Sequence, residues 1–262
     1  MIQCGERLEV LSVPGIPLVG QGADIPALVS SAISKAGLTL VDGDVLVVTS
    51  KLLSRAEGRF VDVPRVEPSP RATELAREIG KDPQIVELIL RESSAVSRKA
   101  RGVLVVRHRL GFVVANAGID MSNAVPPDAP PGSGPWALLL PQDPDASAGK
   151  IRAHVESEKA VHVGVVITDS FGRPFRVGTV GAAIGVSGLP PLWDRRGELD
   201  LFGRPLEITV TAFADQVAAV ADLVAGQAAE RRPLVLVRGL RFGPSDEGAS
   251  ALLRKAEEDL YA

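Results

Sequence analysis

Two aspartates carry the chemistry that this sequence offers most openly. Asp120 stands in Asn116-Ala117-Gly118-Ile119-Asp120-Met121-Ser122-Asn123, and Asp169 in Val165-Val166-Ile167-Thr168-Asp169-Ser170. Each ends a hydrophobic run that predicts a buried strand, and hydroxyl, amide and glycine residues follow closely. A strand end is a rigid platform beside a mobile loop, where metal and phosphate chemistry is commonly mounted. Two hard oxygen ligands so placed suit a divalent cation serving a phosphorylated substrate. Turn or helix capping is the competing role, and it is the commonest task of aspartates in such places.

Basic residues stand close to both runs. Asp169 and Ser170 are followed by Arg173 and Arg176, which places a carboxylate, a hydroxyl and two guanidiniums in one short segment. Guanidiniums suit bidentate binding of phosphate or carboxylate, and the alternative is a solvated loop whose arginines pair with nearby acids. Ser50-Lys51 with Arg55, Glu57 and Arg59 follows another apolar run, a sensible phosphate grip or again a solvated surface. No Gly-x-x-x-x-Gly-Lys-Ser/Thr loop occurs. The glycines between Gly172 and Gly188 make too apolar a stretch for a dinucleotide fingerprint, and backbone packing explains them equally well. His108, His154 and His162 are scattered without a nucleophile partner and read as structural; a Ser-His-Asp hydrolase lacks its nucleophile elbow.

The elements that must position these groups follow from periodicity and breakers. Residues 44–50 (Asp-Val-Leu-Val-Val-Thr-Ser) predict a central strand, preceded by a helix over 23–36 that ends at Gly37. Helices are expected over 71–80 and 82–93, a hairpin over 102–108 and 111–116, and a strand over 136–140. A helix over 145–157 leads to a second central strand over 162–168 that ends in Asp169. Further expectations are a strand over 204–212, a helix over 213–227, a strand over 233–238 and a closing helix over 247–260. The prolines and glycines of 125–135 form a long surface loop or a hinge. Strands and helices mix without strict alternation, which predicts an α+β or mixed α/β fold.

Bulk composition excludes several classes. At 262 residues, with 45% apolar and 23% charged residues, the chain can bury a proper core. A net charge of −3 and 4% aromatics give no support for nucleic-acid binding. Cys4 is the only cysteine, so neither an intrachain disulfide nor Cys/His zinc spacing is available. The first residues lack a signal-peptide pattern, and no apolar run approaches the ~18 residues of a membrane span. A soluble, cytoplasmic protein is expected.

Taken in order, the segments resemble the coenzyme F-420-0:γ-glutamyl ligases over nearly the whole chain. The resemblance runs through residues 13–19 (Val-Pro-Gly-Ile-Pro-Leu-Val), 42–51, 56–59, the octet 116–123, residues 140–145, and 167–176 (Ile-Thr-Asp-Ser-Phe-Gly-Arg-Pro-Phe-Arg). Residues 200–206 and 237–240 complete it. It implies a single ligase domain over 1–262, built on that family's mixed-sheet fold with two intertwined subdomains. It further implies a GTP-dependent enzyme that activates the carboxylate of coenzyme F-420-0 as an acyl phosphate. The amine of L-glutamate then displaces phosphate, and further γ-linked glutamates follow. Asp120 and Asp169 would be metal ligands, and Ser170 a ligand of a second Mg²⁺ or Mn²⁺, with K⁺ assisting. Ile16, Pro17, Leu18, Val19, Ser50, Lys51, Arg55 and Asn123 would meet the nucleotide, together with the 226–233 turn that holds Gly226 and Gln227. Arg173 and Arg176 are candidates for catalysis and glutamate binding. The family implies a homodimer with its site near the subunit interface.

Three positions depart from the family pattern. Arg55 stands where Lys is frequent, Ser170 replaces a usual Thr, and Gln227 lies where some relatives have an acidic residue. Nothing here corresponds to the flavin-binding reductase domain of the larger actinobacterial relatives, so flavin chemistry is not expected of this polypeptide. Two other readings remain: an amide ligase for a different carboxylate acceptor, and a non-catalytic sensor of metal and GTP.

Overall fold

The computed structural model describes residues 2–173 and 176–258. In chain order the elements are β1 (Gln3–Ser12), α1 (Ile25–Lys35), β2 (Val45–Thr49), α2 (Ser50–Ala56), β3 (Phe60–Asp62), α3 (Pro70–Ile79) and α4 (Pro83–Arg91). Then come β4 (Ser93–Ala100), β5 (Val103–His108), β6 (Val113–Ala115), β7 (Trp136–Leu138), α5 (Pro144–Lys159), β8 (Gly164–Arg173) and β9 (Arg176–Ser187). β10 (Trp193–Asp194), β11 (Val210–Thr211), α6 (Phe213–Ala225) and β12 (Leu234–Arg241) complete the list, with short 3-10 turns between. The fold is α+β.

A five-stranded sheet ordered β1-β12-β2-β8-β9 forms the middle of the molecule. β2 and β8 are its one parallel pair, joined in register from Val45↔Gly164 to Thr49↔Thr168; the other neighbours are antiparallel. Both faces of the sheet are covered. Leu46, Val48, Val165 and Ile167 pack with residues of α1 and α5, whereas Val45, Val47 and Val166 pack with residues of α6. Burial on two sides explains why these strands read as continuous apolar runs instead of alternating ones. A second core lies apart from the first. There α3 and α4 cover the three-stranded sheet β4-β5-β6 through Ala72, Ile79, Val86, Ile89, Leu104 and Val106. The β3–β7 pair forms a small sheet of its own.

Local signals account for the helix starts. Asp24, Ser69, Asp82 and Asp143 each accept a backbone N–H from the first turn of the following helix, and each of these helices has Pro at N1 or N2. Gly80 ends α3 in the left-handed conformation at φ 68°.

Several sequence expectations are corrected. The glycine-rich stretch is the strand β9, and its glycines serve close packing. A Cβ at residue 181 would lie 2.6 Å from the Ala218 carbonyl oxygen on α6, and one at 185 would lie 2.5 Å from the carbonyl carbon of Pro144. β8 does not end at Asp169 but runs on to Arg173, because β9 continues to pair with it after β2 has stopped. Asp120 follows a 3-10 turn, Asn116–Gly118, and not a strand. Of the strand expected over 204–212 only Val210–Thr211 is regular. The closing helix is replaced by two 3-10 turns, Ala249–Leu252 and Ala256–Glu258, and the end of that expected span lies outside the described residues. β1 and β4 were not anticipated, since β4 is polar and half exposed along its length. Among the described residues no helix is long and apolar enough to cross a membrane.

The β9–α6 contact makes a test. Gly181→Val should destabilise the protein by ~2 kcal/mol or more, since the new side chain meets backbone that cannot yield. Gly172→Ala, which meets nothing within 4 Å, should stay within about 0.5 kcal/mol of wild type in the same denaturant titration. Equal midpoints for the two variants would refute the packing account.

Candidate functional site

The parallel pair β2–β8 sets the site. After Thr49 the chain leaves the sheet and enters α2 at Ser50, while β8 continues alongside. The Ser50 hydroxyl thereby meets Asp169, donating to its Oδ1 at 2.9 Å. Asp120 reaches the same place from the second core. An isolated bridge joins it to Leu138, with Asp120 N–H donating to the Leu138 carbonyl at 3.0 Å and Leu138 N–H returning to the Asp120 carbonyl at 2.8 Å. Asn116, Ala117 and Gly118 just upstream all adopt left-handed backbone, at φ 50°, 54° and 63°. That conformation is costly for Asn and Ala and persists only where the surroundings enforce it. Here the buried Ala117 packs in the second core, and the Asn116 side chain accepts the Leu104 N–H at 3.2 Å.

Lys51 completes the inner cluster. Its Nζ lies 2.5 Å from Asp120 Oδ2 and donates to the Ser122 carbonyl at 3.2 Å and the Ser122 hydroxyl at 3.3 Å. The other Asp120 oxygen accepts the Ser122 N–H at 2.6 Å. Ser50, Lys51, Gly118, Asp120, Leu138 and Asp169 line one small cavity. The two carboxyls are driven apart in acidity. Burial opposes ionisation of Asp120, but Lys51 and Ser122 outweigh it and hold the group below the usual carboxylate range. Asp169 is pushed up to about 6 by burial, with the Asp120 charge adding to the effect, against the hydrogen bonds from Ser50 and the Ser170 backbone. Two adjacent carboxylates with only one ammonium between them are short of positive charge. Among the described residues no group of three or more His, Cys, Asp or Glu side chains converges. This donor set therefore fits a Mg²⁺-type ion that takes its remaining ligands from water and a phosphorylated substrate, not a closed protein cage.

Neighbouring residues on a strand face opposite ways, and Ser170 accordingly points away from Asp169. Its hydroxyl donates to Gln227 Oε1 at 2.8 Å, and Gln227 Nε2 in turn donates to Asp222 on α6. Asn123 Nδ2 reaches the Ala228 carbonyl at 3.4 Å, which brings the 121–123 turn against the 226–233 turn. Of the expected nucleotide residues, Leu18 is exposed and Val19 buried, and the Val19 carbonyl accepts from Arg55 at 2.9 Å. Arg55 is itself buried, with three of its N–H donors directed to backbone carbonyls. Arg173 and Arg176 do not converge on the aspartates. They pair across the β8–β9 hairpin, with Arg173 Nη2 donating to the Val177 carbonyl at 3.2 Å, and Arg173 lies roughly 13 Å along the strand from Asp169.

Sequence reasoning missed two contributors. Asp222 had a signal: with Asp215 it forms an acidic pair seven apart in a helix whose only other polar residue is Gln216, so both lie on one face. The second is the Glu92 cluster that holds the wall of the site. Glu92 Oε2 accepts from Arg59 Nη2 at 2.7 Å and from Arg109 Nε at 3.0 Å, and the buried His108 ring faces it with Nε2 at 3.6 Å. Arg59 donates onward to the Leu140 carbonyl, and Arg109 to the carbonyls of Pro141 and Gln142. Partners from four distant segments gave the sequence no local pattern.

Comparison with known proteins places this architecture. Residues 15–239 match the family described as "F420-0:Gamma-glutamyl ligase". The chain is 46% identical over 256 residues to the coenzyme F420:L-glutamate ligase of Methanothermobacter thermautotrophicus, covering 97% of this chain and 98% of that one. It is 43% identical over 263 residues to the enzyme of that name from Methanopyrus kandleri, covering 97% and 98%. The Archaeoglobus fulgidus enzyme of that name is 42% identical over 253 residues, covering 97% and 95%. Fold and similarity together define an enzyme of the ligase class. The chain belongs to the F420-0:gamma-glutamyl ligase family.

The Glu92 cluster yields a prediction with a defined sign. Burial alone would raise the Glu92 carboxyl, but the His108 ring and the Arg109 and Arg59 guanidiniums hold it at about 2. A depressed carboxyl stabilises the fold above its unfolded value near ~4.5, and that stability disappears as pH falls towards 2. Between those limits wild type should lose up to about 3 kcal/mol that Glu92→Gln does not lose. Parallel pH–stability curves for the two proteins would rule out the assignment.

Proposed function

We propose that this chain is a cytoplasmic ligase that joins L-glutamate to coenzyme F-420-0 through an amide bond, using GTP. The observation that carries the reading is the meeting of Asp120 and Asp169 beside Lys51 and Ser50 at the place where β2 leaves the sheet. In this reading the terminal carboxylate of the acceptor attacks the γ-phosphorus of GTP, forming an acyl phosphate and releasing GDP. The glutamate amine then attacks the acyl carbon, the phosphate leaves with the C–O bonding pair, and the nitrogen loses a proton. Mg²⁺ or Mn²⁺, when bound, supplies neutralising charge for the phosphates. Asp120 and Asp169 would hold that ion, and Ser170 with Gln227 would present neutral oxygens to a second, with K⁺ as an auxiliary cation. The Lys51 ammonium balances Asp120 here, and it would be free to reach phosphate oxygens once a divalent ion balanced that carboxylate. Leu138 and Leu140 bring apolar surface to the cavity, which favours an acyl phosphate kept away from water.

The reading includes a homodimer. Support comes from the arm between β10 and β11, where Leu201, Phe202 and Ile208 are 98%, 84% and 87% exposed, large apolar side chains that a partner subunit would cover.

Purified protein incubated with coenzyme F-420-0, L-glutamate, GTP and Mn²⁺ should yield products heavier by whole glutamyl units in the mass spectrum. Asp120→Asn and Asp169→Asn should each reduce turnover at least ~100-fold with an unchanged circular dichroism spectrum. Turnover retained in both variants would remove the carboxylates from the mechanism. Absence of product from folded wild type that binds GTP would point to another acceptor.

A further inference from the structure

Three nucleotide-site segments come from distant parts of the chain, and one buried side chain lies under two of them. Arg55, in the last turn of α2, is 4% exposed. Its Nε donates to the Val19 carbonyl at 2.9 Å, Nη1 to the Asn123 carbonyl at 2.9 Å and Nη2 to the Val125 carbonyl at 3.1 Å. The guanidinium carbon stands 5.0 Å from the centre of the Phe60 ring. Among the described residues Arg55 forms no ion pair, so the carbonyl dipoles of the loops are what satisfy it. Leaving a cation buried without an anion is costly. Few side chains other than a forked, planar guanidinium could reach three carbonyls of two separate loops at once.

The tie extends in both directions. Asn123, left-handed at φ 51°, turns its carbonyl to Arg55 while its side chain reaches the Ala228 carbonyl of the 226–233 turn. On the other side the loops touch directly: a Cβ at Gly20 would lie 3.3 Å from Cγ of Pro127. The 16–19 loop and the 123–125 turn therefore stand at a distance set from below by one side chain, and Asn123 carries the tie on to the 226–233 turn.

We infer that Arg55 is a positioning residue, the floor that spaces the 16–19 loop against Asn123, and that it acts on the nucleotide only through these loops. This rests on the GTP reading above and deepens it. A lysine at residue 55 keeps the charge but serves fewer of the carbonyls and has no fork. Arg55→Lys should weaken GTP, GDP and GMP by a similar factor, on the order of tenfold, because misplaced loops affect every nucleotide alike. Amide hydrogen exchange of the ligand-free variant should rise in residues 18–22 and 121–125 and stay unchanged in β2 and β8. Gly20→Val, which pushes the loops apart without touching Arg55, should give the same uniform loss, and it serves if Arg55→Lys does not fold.

A loss that grows steeply from GMP to GTP would make Arg55 a direct phosphate contact and overturn the inference. Unchanged exchange in both loops, or unchanged affinity in Gly20→Val, would overturn it as well. Wild-type protein that binds no guanine nucleotide would instead overturn the GTP reading, and that result comes from a different sample than the exchange comparison.

Discussion

Two carboxylates that repel each other are held side by side by opposite halves of the molecule, and most of the structure around them serves to keep them there. Asp169 is fixed by the central sheet, whose parallel pair places it beside the start of α2. Asp120 is fixed by the second core, through three left-handed residues and a two-way backbone bridge to Leu138. Neither position is the one a lone chain segment would choose, because bringing negative charges together in a partly dry cleft is unfavourable. The opposing effect comes from apolar burial on both faces of the sheet and in the second core, far from the charges themselves. Lys51 relieves part of the repulsion, and burial, with the Asp120 charge adding to it, pushes the Asp169 carboxyl up to about 6.

The polar scaffolding around this pair is arranged in forks. Glu92 gathers Arg59 and Arg109, which grip the carbonyls of Leu140, Pro141 and Gln142, and Arg55 grips those of Val19, Asn123 and Val125. In both cases a guanidinium supplies donors to loop carbonyls that no strand or helix could satisfy. The loops of the site are thereby ordered by side chains from regular elements beneath them. Such loops can carry precise geometry without being regular themselves.

How far the sequence revealed this depends on whether a feature is local. The runs 44–50 and 162–168 were legible as central strands because burial on two faces leaves an uninterrupted apolar signature. The helices over 23–36, 71–80, 82–93 and 145–157 were legible from periodicity and breakers, with Pro83 marking one start, whereas the caps Asp24, Ser69 and Asp143 emerged only in the structure. The same local reading failed for β9, where glycine looked like a loop signal but serves close contact with α6 and α5. It failed for β4 and for the tail after residue 247, where polar or mixed composition carried no period. The two aspartates were singled out by their flanks, yet their meeting depends on contacts between the central sheet and the second core, which no spacing in the chain encodes. The Arg55 and Glu92 forks were invisible for a related reason: their partners are backbone carbonyls, and any residue type has one.

The alternation along β8 has an implication for how this chain can change in length. Asp169 and Ser170 face opposite sides of a strand and serve separate groups, so the strand's register decides which chemistry faces which side. Inserting or deleting one residue between Gly164 and Asp169 would exchange carboxylate and hydroxyl while leaving the hydrogen-bond ladder free to re-form. The loop over 125–135 tolerates such changes in principle, since only its ends are tied to the site. Indels in descendants of this chain should therefore accumulate in that loop and stay out of β8, where a single residue would turn the site inside out.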